Sequence, residues 1–270
     1  MNNIKKSLKF ILSPVRKIFT KLFIDTSLLD SYVNERIWHE TNAFRWASAY
    51  IVKNQISGDY LEFGVWKGNS FIEAYKQIES YSEMFYAPNS TLGKSGIAVE
   101  NNFKKIRYHA FDSFEGLSAS SSIDQPLQYF EGNYRAEEEV FIEKIKEAKL
   151  DLSRVTTTKG WFNESLTPEA ANKLSLKEVA IAYIDCDLYE PALDALNFIT
   201  PFIKQGSILI FDDWFRNKGN PNQGVQGAVL KWLENNNKFF LQHYYSCDTR
   251  TTLFIVQESV GKTDSNINSV

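Results

Sequence analysis

The sequence predicts an α/β fold with a mostly parallel sheet, helices on both faces of that sheet and a C-terminal antiparallel hairpin. From Gly58 onward, short apolar runs alternate with longer stretches of helical periodicity, which is typical of parallel strands joined by helices. Two further apolar runs, separated only by residues 247–250, predict the closing hairpin. The length of 270 residues, of which 43% are hydrophobic, suits one large domain with appendages.

Each element follows from its own pattern. Parallel strands are expected at 59–63, 106–111, 154–158, 179–184 and 207–211, and hairpin strands at 239–245 and 251–256. Helices are expected near 69–80, 136–148, 168–174, 190–203 and 224–236. These elements define a central domain over 57–257, followed by a polar tail, 258–270, that is expected to be disordered.

The segment 26–56 carries apolar and aromatic residues at helical spacing, which predicts one or two helices. Such a segment before the central domain is expected to serve either as a lid over the substrate or as a contact in a homo-oligomer. The sequence favours neither of these two roles.

Residues 1–25 form a separate basic arm. Residues 1–24 contain six basic residues and no acidic residue, and their apolar residues recur every three or four positions. Ser13-Pro14 is typical of a helix start, and the charges within the segment argue against a signal peptide. One interpretation is an amphipathic helix on an anionic membrane surface or a partner, and the other is a helix packed on its own domain.

Composition excludes several classes of protein. A net charge of −3 argues against a nucleic-acid binder, and no apolar run approaches the roughly 20 residues that span a bilayer. Two cysteines cannot build a disulfide framework and three histidines cannot build a His-rich metal site. Cys186 lies between two acids, which disfavours a thiolate nucleophile, and His109 within a strand is expected to be structural. The chemistry is therefore sought in carboxylates.

Four of the five predicted parallel strands carry an acidic residue at or directly after their carboxyl end. In open α/β sheets a ligand binds beyond the carboxyl ends of the strands, where these acids are expected to lie together. Glu62-x-Gly64-x-x-x-Gly68 allows a tight turn into a helix, but it lacks the middle glycine of a dinucleotide site, and a packing turn is an equal interpretation. Asp112 is placed either to bind ribose hydroxyls or to cap the following turn.

The acids after the last two parallel strands are the strongest constellation. They are Asp185, Asp187, Asp212 and Asp213. Because neighbouring strands lie about 4.8 Å apart, these carboxylates can share one hard cation such as Mg²⁺ or Ca²⁺. Capping of helices explains one or two of them but not the whole set. Trp161, after the third strand, is placed either to stack on an adenine or to pack in the core.

Five segments stand in a fixed order along the chain. They are Gly58–Gly68, Asp112–Leu117, Lys159–Phe162, Asp185–Glu190 and Gly206–Asp213. In this order they resemble the macrocin O-methyltransferase family of the TylF/MycF type, over more than half of the chain. The resemblance implies a Rossmann-like class I methyltransferase that moves a methyl group from S-adenosylmethionine to a sugar hydroxyl with Mg²⁺ or another hard divalent cation.

The resemblance also implies roles for individual residues. Glu62 and Gly64 correspond to the methionine and ribose side of the cofactor, and Asp112 with Ser113 to the ribose or adenosine. Gly160 and Trp161 correspond to the border of the adenine. The acids after the last two parallel strands take the remaining roles: Asp185, Asp212 and Asp213 as metal ligands, Asp185 also as acceptor of the hydroxyl proton, and Asp187 as a contact to cofactor or substrate.

Two departures from the family pattern bear on the acceptor. Residues 118–122 contain no histidine, which puts a histidine base in doubt. The basic arm has no counterpart in the pattern, so a lipid-linked sugar or a surface polysaccharide precursor is a hypothesis for the acceptor. The expected location is cytoplasmic, with peripheral contact to the inner face of the membrane through residues 1–24.

Two other functions compete with methyl transfer. Asp185-x-Asp187 after a strand also fits a metal-dependent glycosyltransferase, although that function leaves the Glu62-x-Gly64 turn and the Asp212-Asp213 pair unexplained. A binding protein that keeps the fold without catalysis has no positive support, because all the implied ligands are present.

Overall fold

A computed structural model of the protein describes residues 41–86, 106–119, 123–124, 130–247 and 250–259. All of these belong to one compact unit, Thr41–Val270. The basic arm, residues 26–40 of the segment 26–56 and the tail beyond residue 259 lie outside the described residues. Within the described residues, no helix has both the length and the apolar character needed to cross a membrane.

Seven strands form one sheet in the order β3-β2-β1-β4-β5-β7-β6. The strands are β1 Asp59–Phe63, β2 Tyr108–Asp112, β3 Val155–Lys159, β4 Val179–Ile184, β5 Ile208–Phe211, β6 Phe239–Ser246 and β7 Thr252–Glu258. The first five are parallel, and β7 pairs antiparallel with both β5 and β6. The predicted parallel sheet with a closing antiparallel hairpin is confirmed.

The helices follow the predicted order with local differences. Residues 41–53 are helical (α1), followed by α2 Asn69–Tyr86, α3 Glu138–Glu147, α4 Phe162–Ser165, α5 Pro168–Lys173, α6 Tyr189–Ile199 and α7 Gly224–Asn235. Helix α2 continues beyond the predicted end because Tyr81 and Phe85 extend its apolar face against the core. Helix α6 stops before the predicted end because Pro201 has no backbone N–H with which to continue the helical hydrogen bonds.

The core lies on both faces of the sheet. Every residue of β1, β4 and β5 is buried, as expected for central strands covered by helices on both sides. Alternate residues of β1 enter different clusters, with Tyr60 in one and Leu61 in the other. Phe44 of α1 packs edge-on against Tyr60 and Tyr183, so this helix is part of the first cluster. The core thus fixes the positions of the strand ends.

A polar network closes the amino ends of β1, β2 and β3. Arg107 donates to Asp59 Oδ2 at 2.5 Å and to the Leu174 carbonyl at 2.5 Å. The His109 ring, 1% exposed, contacts Asp59 Oδ2 at 3.3 Å and Thr156 Oγ1 at 2.6 Å. Burial raises the pKa of the Asp59 carboxyl, but hydrogen bonds from His109 and Arg107 outweigh it, so the pKa is lowered. His109 therefore has the structural role that was expected of it.

Asp59→Asn tests the energetic role of this network. Because the folded-state pKa of Asp59 is lowered, its carboxylate stabilises the fold above the unfolded-state pKa of about 3.9, and this contribution is lost as pH falls. We expect the variant to lose about 1–3 kcal/mol of unfolding free energy at pH 7 and to approach wild type in acid. Urea unfolding at several pH values measures this.

Glu143→Gln, at an exposed position of α3, is the matched control and is expected to behave as wild type. A difference between Asp59→Asn and wild type that stays constant from neutral to acidic pH would contradict the assignment.

Candidate active site at the carboxyl edge of the sheet

The hydrogen-bond ladder of the parallel strands continues one residue past the strand ends. The four bonds that extend it run from Gly160 N to Asp112 O (3.0 Å), Gly64 N to Phe111 O (2.8 Å), Asp185 N to Phe63 O (2.9 Å) and Asp212 N to Ile184 O (3.1 Å). This edge therefore holds one predicted site residue from each of the five parallel strands in a single row. The structure thus brings together the residues that the sequence placed at the strand ends.

Gly64 lets the first turn lie directly against the end of β4. Its φ is +90°, and a Cβ added there would stand 2.0 Å from the carbonyl oxygen of Asp185. No other residue type fits this contact without moving one of the two strand ends. The glycine that sequence reasoning connected with cofactor binding is therefore also required for packing.

Glu62 is a fully buried carboxylate with two hydroxyl partners. It is 0% exposed, and it accepts hydrogen bonds from the Tyr60 hydroxyl and, at 2.5 Å, from Ser70 Oγ at the start of α2. Burial and the adjacent Glu62 carboxylate raise the pKa of Tyr60 well above its usual range, so the phenol stays protonated and donates. The position of the Glu62 carboxylate is thereby fixed from both sides.

Asp112 binds the turns that follow β1 and β2. Its Oδ2 accepts the amides of Val65 (2.9 Å) and Trp66 (2.8 Å), and its Oδ1 accepts the amide of Phe114 (2.7 Å). Burial raises the pKa of Asp112, although the three amides act in the opposite direction. These are the capping contacts that were the alternative to a ribose role. A carboxylate offers about four acceptor positions, so a ribose hydroxyl has one place left and the ribose role stays a prediction.

The other residues predicted at the adenosine side lie near the ends of β2 and β3. Ser113 Oγ donates to the Gly116 carbonyl at 2.8 Å and accepts the Glu115 amide at 3.1 Å, which shapes the turn after β2. Gly160 has a φ of +138°, and Trp161 follows it as the partly buried N-cap residue of α4. The backbone bond from Gly160 to Asp112 ties these two turns together.

The acids after β4 create a negative field. The Tyr183 hydroxyl lies 3.4 Å from Asp185 Oδ2, and Asp187 has a left-handed backbone with a φ of +61°. Between them, Cys186 is buried. Burial raises the pKa of its thiol well above the usual range, and Asp185, Asp187, Asp112 and Asp194 raise it further. The thiol is therefore protonated, in agreement with the expectation that it is no nucleophile.

The acids after β5 are already engaged by neighbouring side chains. Asp212 and Asp213 are 4% and 5% exposed. Thr251 Oγ1 donates to Asp212 Oδ1 at 2.7 Å, and Arg216 Nε donates to Asp213 Oδ1 at 2.7 Å. In the part of the chain that the structure describes, no three Asp, Glu, His or Cys side chains are placed to hold a metal ion. The carboxylates thus have the right chemistry for a hard cation but do not form a site as they stand.

Comparison with known proteins identifies the family of this chain. Residues 91–230 match the family model described as macrocin-O-methyltransferase (TylF). The chain belongs to the TylF family. In its fold the protein is similar to the O-methyltransferase NovP, with a TM-score of 0.61 and 18% identity, over 80% of this chain and 79% of that one.

Two further relatives extend the comparison of this TylF-family chain. The calicheamicin methyltransferase CalS11 has a TM-score of 0.59 and 20% identity, over 90% of both chains. A rhamnosyl-tetracenomycin-C 4'-O-methyltransferase from Streptomyces olivaceus is 24% identical over 61% of this chain. The match spans 56% of that relative's length, just over half of it.

Several contacts of the candidate site were not predicted from the sequence. Tyr60 and Tyr183 each precede an acid by two residues on a strand, so the shared strand face was a usable signal. Arg216, Thr251 and Asp124 had no such signal. Asp124 Oδ1 accepts the amide of Tyr189, the first residue of α6, at 2.9 Å, across 65 residues of sequence. Such loop contacts depend on the tertiary structure.

Asp112→Asn tests whether one carboxylate holds both turns. Whichever way the new amide is turned, at least one of the three backbone N–H groups faces an NH₂ group. We expect a loss of about 1–3 kcal/mol in the free energy of unfolding, the cost of leaving a buried donor unsatisfied. Urea unfolding of the purified variant measures this loss.

Asp151→Asn is the matched control because Asp151 also caps a turn, through the amide of Ser153, but at an exposed position. Its effect should be smaller, since water replaces the lost acceptor. Equal losses in the two variants would mean that Asp112 acts only as a local cap.

Proposed function

We propose that the protein transfers the methyl group of S-adenosylmethionine to a hydroxyl group of a sugar. Membership of the TylF family supports this function, and the observation that carries it is the single row of Gly160, Asp112, Gly64, Asp185 and Asp212 at the carboxyl edge. A ligand bound along that row contacts all five parallel strands. The assigned residues, Glu62, Gly64, Asp112, Ser113, Gly160, Trp161 and Asp187 for the cofactor and Asp185 for catalysis, are part of this proposal.

The electrostatics of the edge fit a sulfonium cofactor. S-adenosylmethionine supplies an electrophilic methyl group on a positively charged sulfur. Burial raises the pKa of the Cys186 thiol, and the carboxylates of Asp185, Asp187 and Asp112 raise it further, which agrees with an excess of negative charge at this position. A cationic ligand is favoured there. Membership of the TylF family disfavours the glycosyltransferase alternative.

In the proposed reaction Asp185 is the base. Its carboxylate accepts the proton of the sugar hydroxyl while the oxygen attacks the methyl carbon in line with the sulfur. The new O–CH₃ bond forms as the S–CH₃ bond breaks. The electron pair of the S–CH₃ bond stays on sulfur, which becomes a neutral thioether. The chain contributes mainly by alignment, because Gly64 holds the cofactor turn against the backbone of Asp185.

The class of acceptor rests on the family and on one relative. The Streptomyces olivaceus protein is named as a 4'-O-methyltransferase of a rhamnosyl group. We infer that a deoxyhexose or a related sugar is the acceptor here, within a glycan, a glycolipid precursor or a glycosylated metabolite. The magnesium dependence implied by the family pattern stays a prediction, and the reaction above is derived without it because the acids among the described residues do not form a metal site as they stand.

Binding and activity measurements test this function together. Wild type is expected to bind S-adenosylhomocysteine by calorimetry and to methylate at least one member of a panel of rhamnosides supplied with labelled S-adenosylmethionine. Asp185→Asn should keep the cofactor affinity and lose about 10²- to 10⁴-fold in kcat, the contribution of a general base.

The matched control is Glu190→Gln, which changes an exposed acid in the first turn of α6, shortly after Asp185. This variant should keep its activity. No binding of S-adenosylhomocysteine to wild type, with metal-dependent binding of a nucleotide-sugar instead, would replace this function with glycosyl transfer.

The basic arm suggests where the reaction takes place. We propose that residues 1–24 bind the inner face of the membrane, so that a cytoplasmic enzyme meets a lipid-linked sugar. Six basic residues at roughly 1 kcal/mol each near an anionic surface are sufficient for reversible attachment.

Co-sedimentation with vesicles of phosphatidylglycerol and phosphatidylcholine tests this attachment. The full chain should sediment with anionic vesicles at low salt and be released by high salt, and a protein starting at residue 25 should remain in the supernatant. If both proteins sediment with the vesicles to the same extent, the arm does not carry the attachment. The interpretation that it packs on its own domain would then replace this proposal.

A further inference from the structure

The loop that follows β5, residues 212–223, begins beside the proposed base. The Asp212 amide donates to the carbonyl of Ile184 at 3.1 Å, so the loop starts next to Asp185, the residue after Ile184. Most of the residues proposed for the cofactor lie at the ends of β1, β2 and β3, on the other side of β4 in the sheet. A sugar whose hydroxyl group reaches Asp185 therefore extends over the ends of β4 and β5, toward this loop.

Trp214 anchors the first part of this loop. Its amide donates to the carbonyl of Arg250 at 2.8 Å, and its carbonyl accepts the side-chain amide of Gln226 at 2.5 Å. Its indole ring packs on Phe211 and Phe254, with ring centroids 5.3 Å and 4.7 Å away. The hairpin, the end of β5 and helix α7 thus all hold this residue in place.

The backbone around the next residue, Phe215, is held as well. Arg216 Nε donates to Asp213 Oδ1 at 2.7 Å, and the Arg216 amide donates to the Asp213 carbonyl at 3.0 Å. The amide of Gly219 donates to the carbonyls of Phe215 and Arg216, at 3.2 Å and 3.0 Å. The backbone of Phe215 is therefore fixed from both sides.

The side chain of Phe215 lies at the surface although its backbone is fixed. Phe215 is 46% exposed, and among the described residues it is the one exposed aromatic residue in the loops that follow β4 and β5. A single exposed apolar side chain is ordinary on a protein surface, so its position decides its meaning. Here the ring stands on an anchored loop beside the proposed base, and it loses little conformational entropy when a ligand covers it.

We propose that Phe215 is a specificity-determining residue that packs against the apolar face of the acceptor sugar. This inference rests on the proposed function and names the part of the sugar that the site recognises. One face of a pyranose ring presents C–H groups, and a deoxyhexose adds a methyl group, so contact with an apolar ring removes apolar surface from water. The phenyl ring has no hydrogen-bond donor or acceptor. A 6-hydroxyl group held against it would lose its hydrogen bonds to water, which disfavours the corresponding hexose.

Phe215→Ala tests this role. The KM for a rhamnoside, and its Kd in the presence of S-adenosylhomocysteine, are both expected to rise about tenfold as the apolar contact is lost. The kcat should not change, because the ring contacts the sugar equally in the ground state and the transition state. The preference in kcat/KM for a rhamnoside over the corresponding mannoside, which carries a 6-hydroxyl group, should fall. Steady-state kinetics and calorimetry measure these quantities.

Phe240→Ala is the matched control. Phe240 is 52% exposed and lies near the start of β6, which runs in the same direction as β5, so it stands at the opposite edge of the sheet from the site. This variant should keep the wild-type KM. Phe215→Leu keeps an apolar side chain on the loop and should retain most of the affinity for the rhamnoside.

An unchanged KM in Phe215→Ala would overturn the proposal, as would an equal rise in Phe240→Ala. A rise in the Kd of S-adenosylhomocysteine as large as the rise in KM would assign Phe215 to the cofactor instead. Wild type that binds S-adenosylhomocysteine but methylates no rhamnoside would overturn this inference and leave the methyltransferase assignment in place. Absence of S-adenosylhomocysteine binding to wild type would overturn that assignment, and this inference with it.

Discussion

The parallel ladder that joins β1 to β2 and β4 is the constraint on which the candidate site depends. In a parallel sheet the bonded residues of adjacent strands advance together, so the first residue beyond each strand lies beside its counterpart. Gly64 and Asp185 become neighbours in this way although 121 positions separate them in sequence. The fully buried central strands hold this register firmly, because a slip by one residue would turn the apolar side chains of one cluster into the other.

Different groups stabilise the buried carboxylates at the amino ends and at the carboxyl ends of the strands. At the amino ends, Asp59 is matched by Arg107 and His109, and the result is a closed network with a purely structural role. At the carboxyl ends, Arg216 pairs with Asp213, but backbone amides hold Asp112 and hydroxyl groups hold Glu62. Neutral donors of this kind stabilise a carboxylate without cancelling its charge, so this edge of the sheet attracts a ligand of the opposite charge.

The sequence predicted the strands well where burial was continuous. β4 lies where it was expected because a short, uninterrupted apolar run between turn residues is typical of a strand buried on both faces. β1 also lies where it was expected, although Asp59 and Glu62 interrupt its apolar residues. The end of α2 was missed because Tyr81 and Phe85 join the helix through tertiary packing rather than through local propensity.

Candidate site residues could be named because strand ends are visible in the sequence, whereas their partners are not. Thr251 reaches Asp212 from the hairpin, 39 positions away, and no local pattern marks that contact. The hydrogen-bond partners of each carboxylate therefore become visible only in the three-dimensional structure.

The contact between Gly64 and the Asp185 carbonyl has a consequence for redesigning acceptor preference. Two strand ends that touch backbone to backbone cannot be retuned separately, because any side chain at position 64 pushes on the proposed base. In a mutagenesis library that varies position 64, most variants would have displaced strand ends and would be lost before their acceptor preference could be measured. The exposed rings of Trp66 and Tyr134, which meet edge-on beside the same turn, offer diversity without that penalty. Substitutions that change acceptor preference are therefore expected at the exposed residues of this edge, whereas the backbone contact between the ends of β1 and β4 has to be kept.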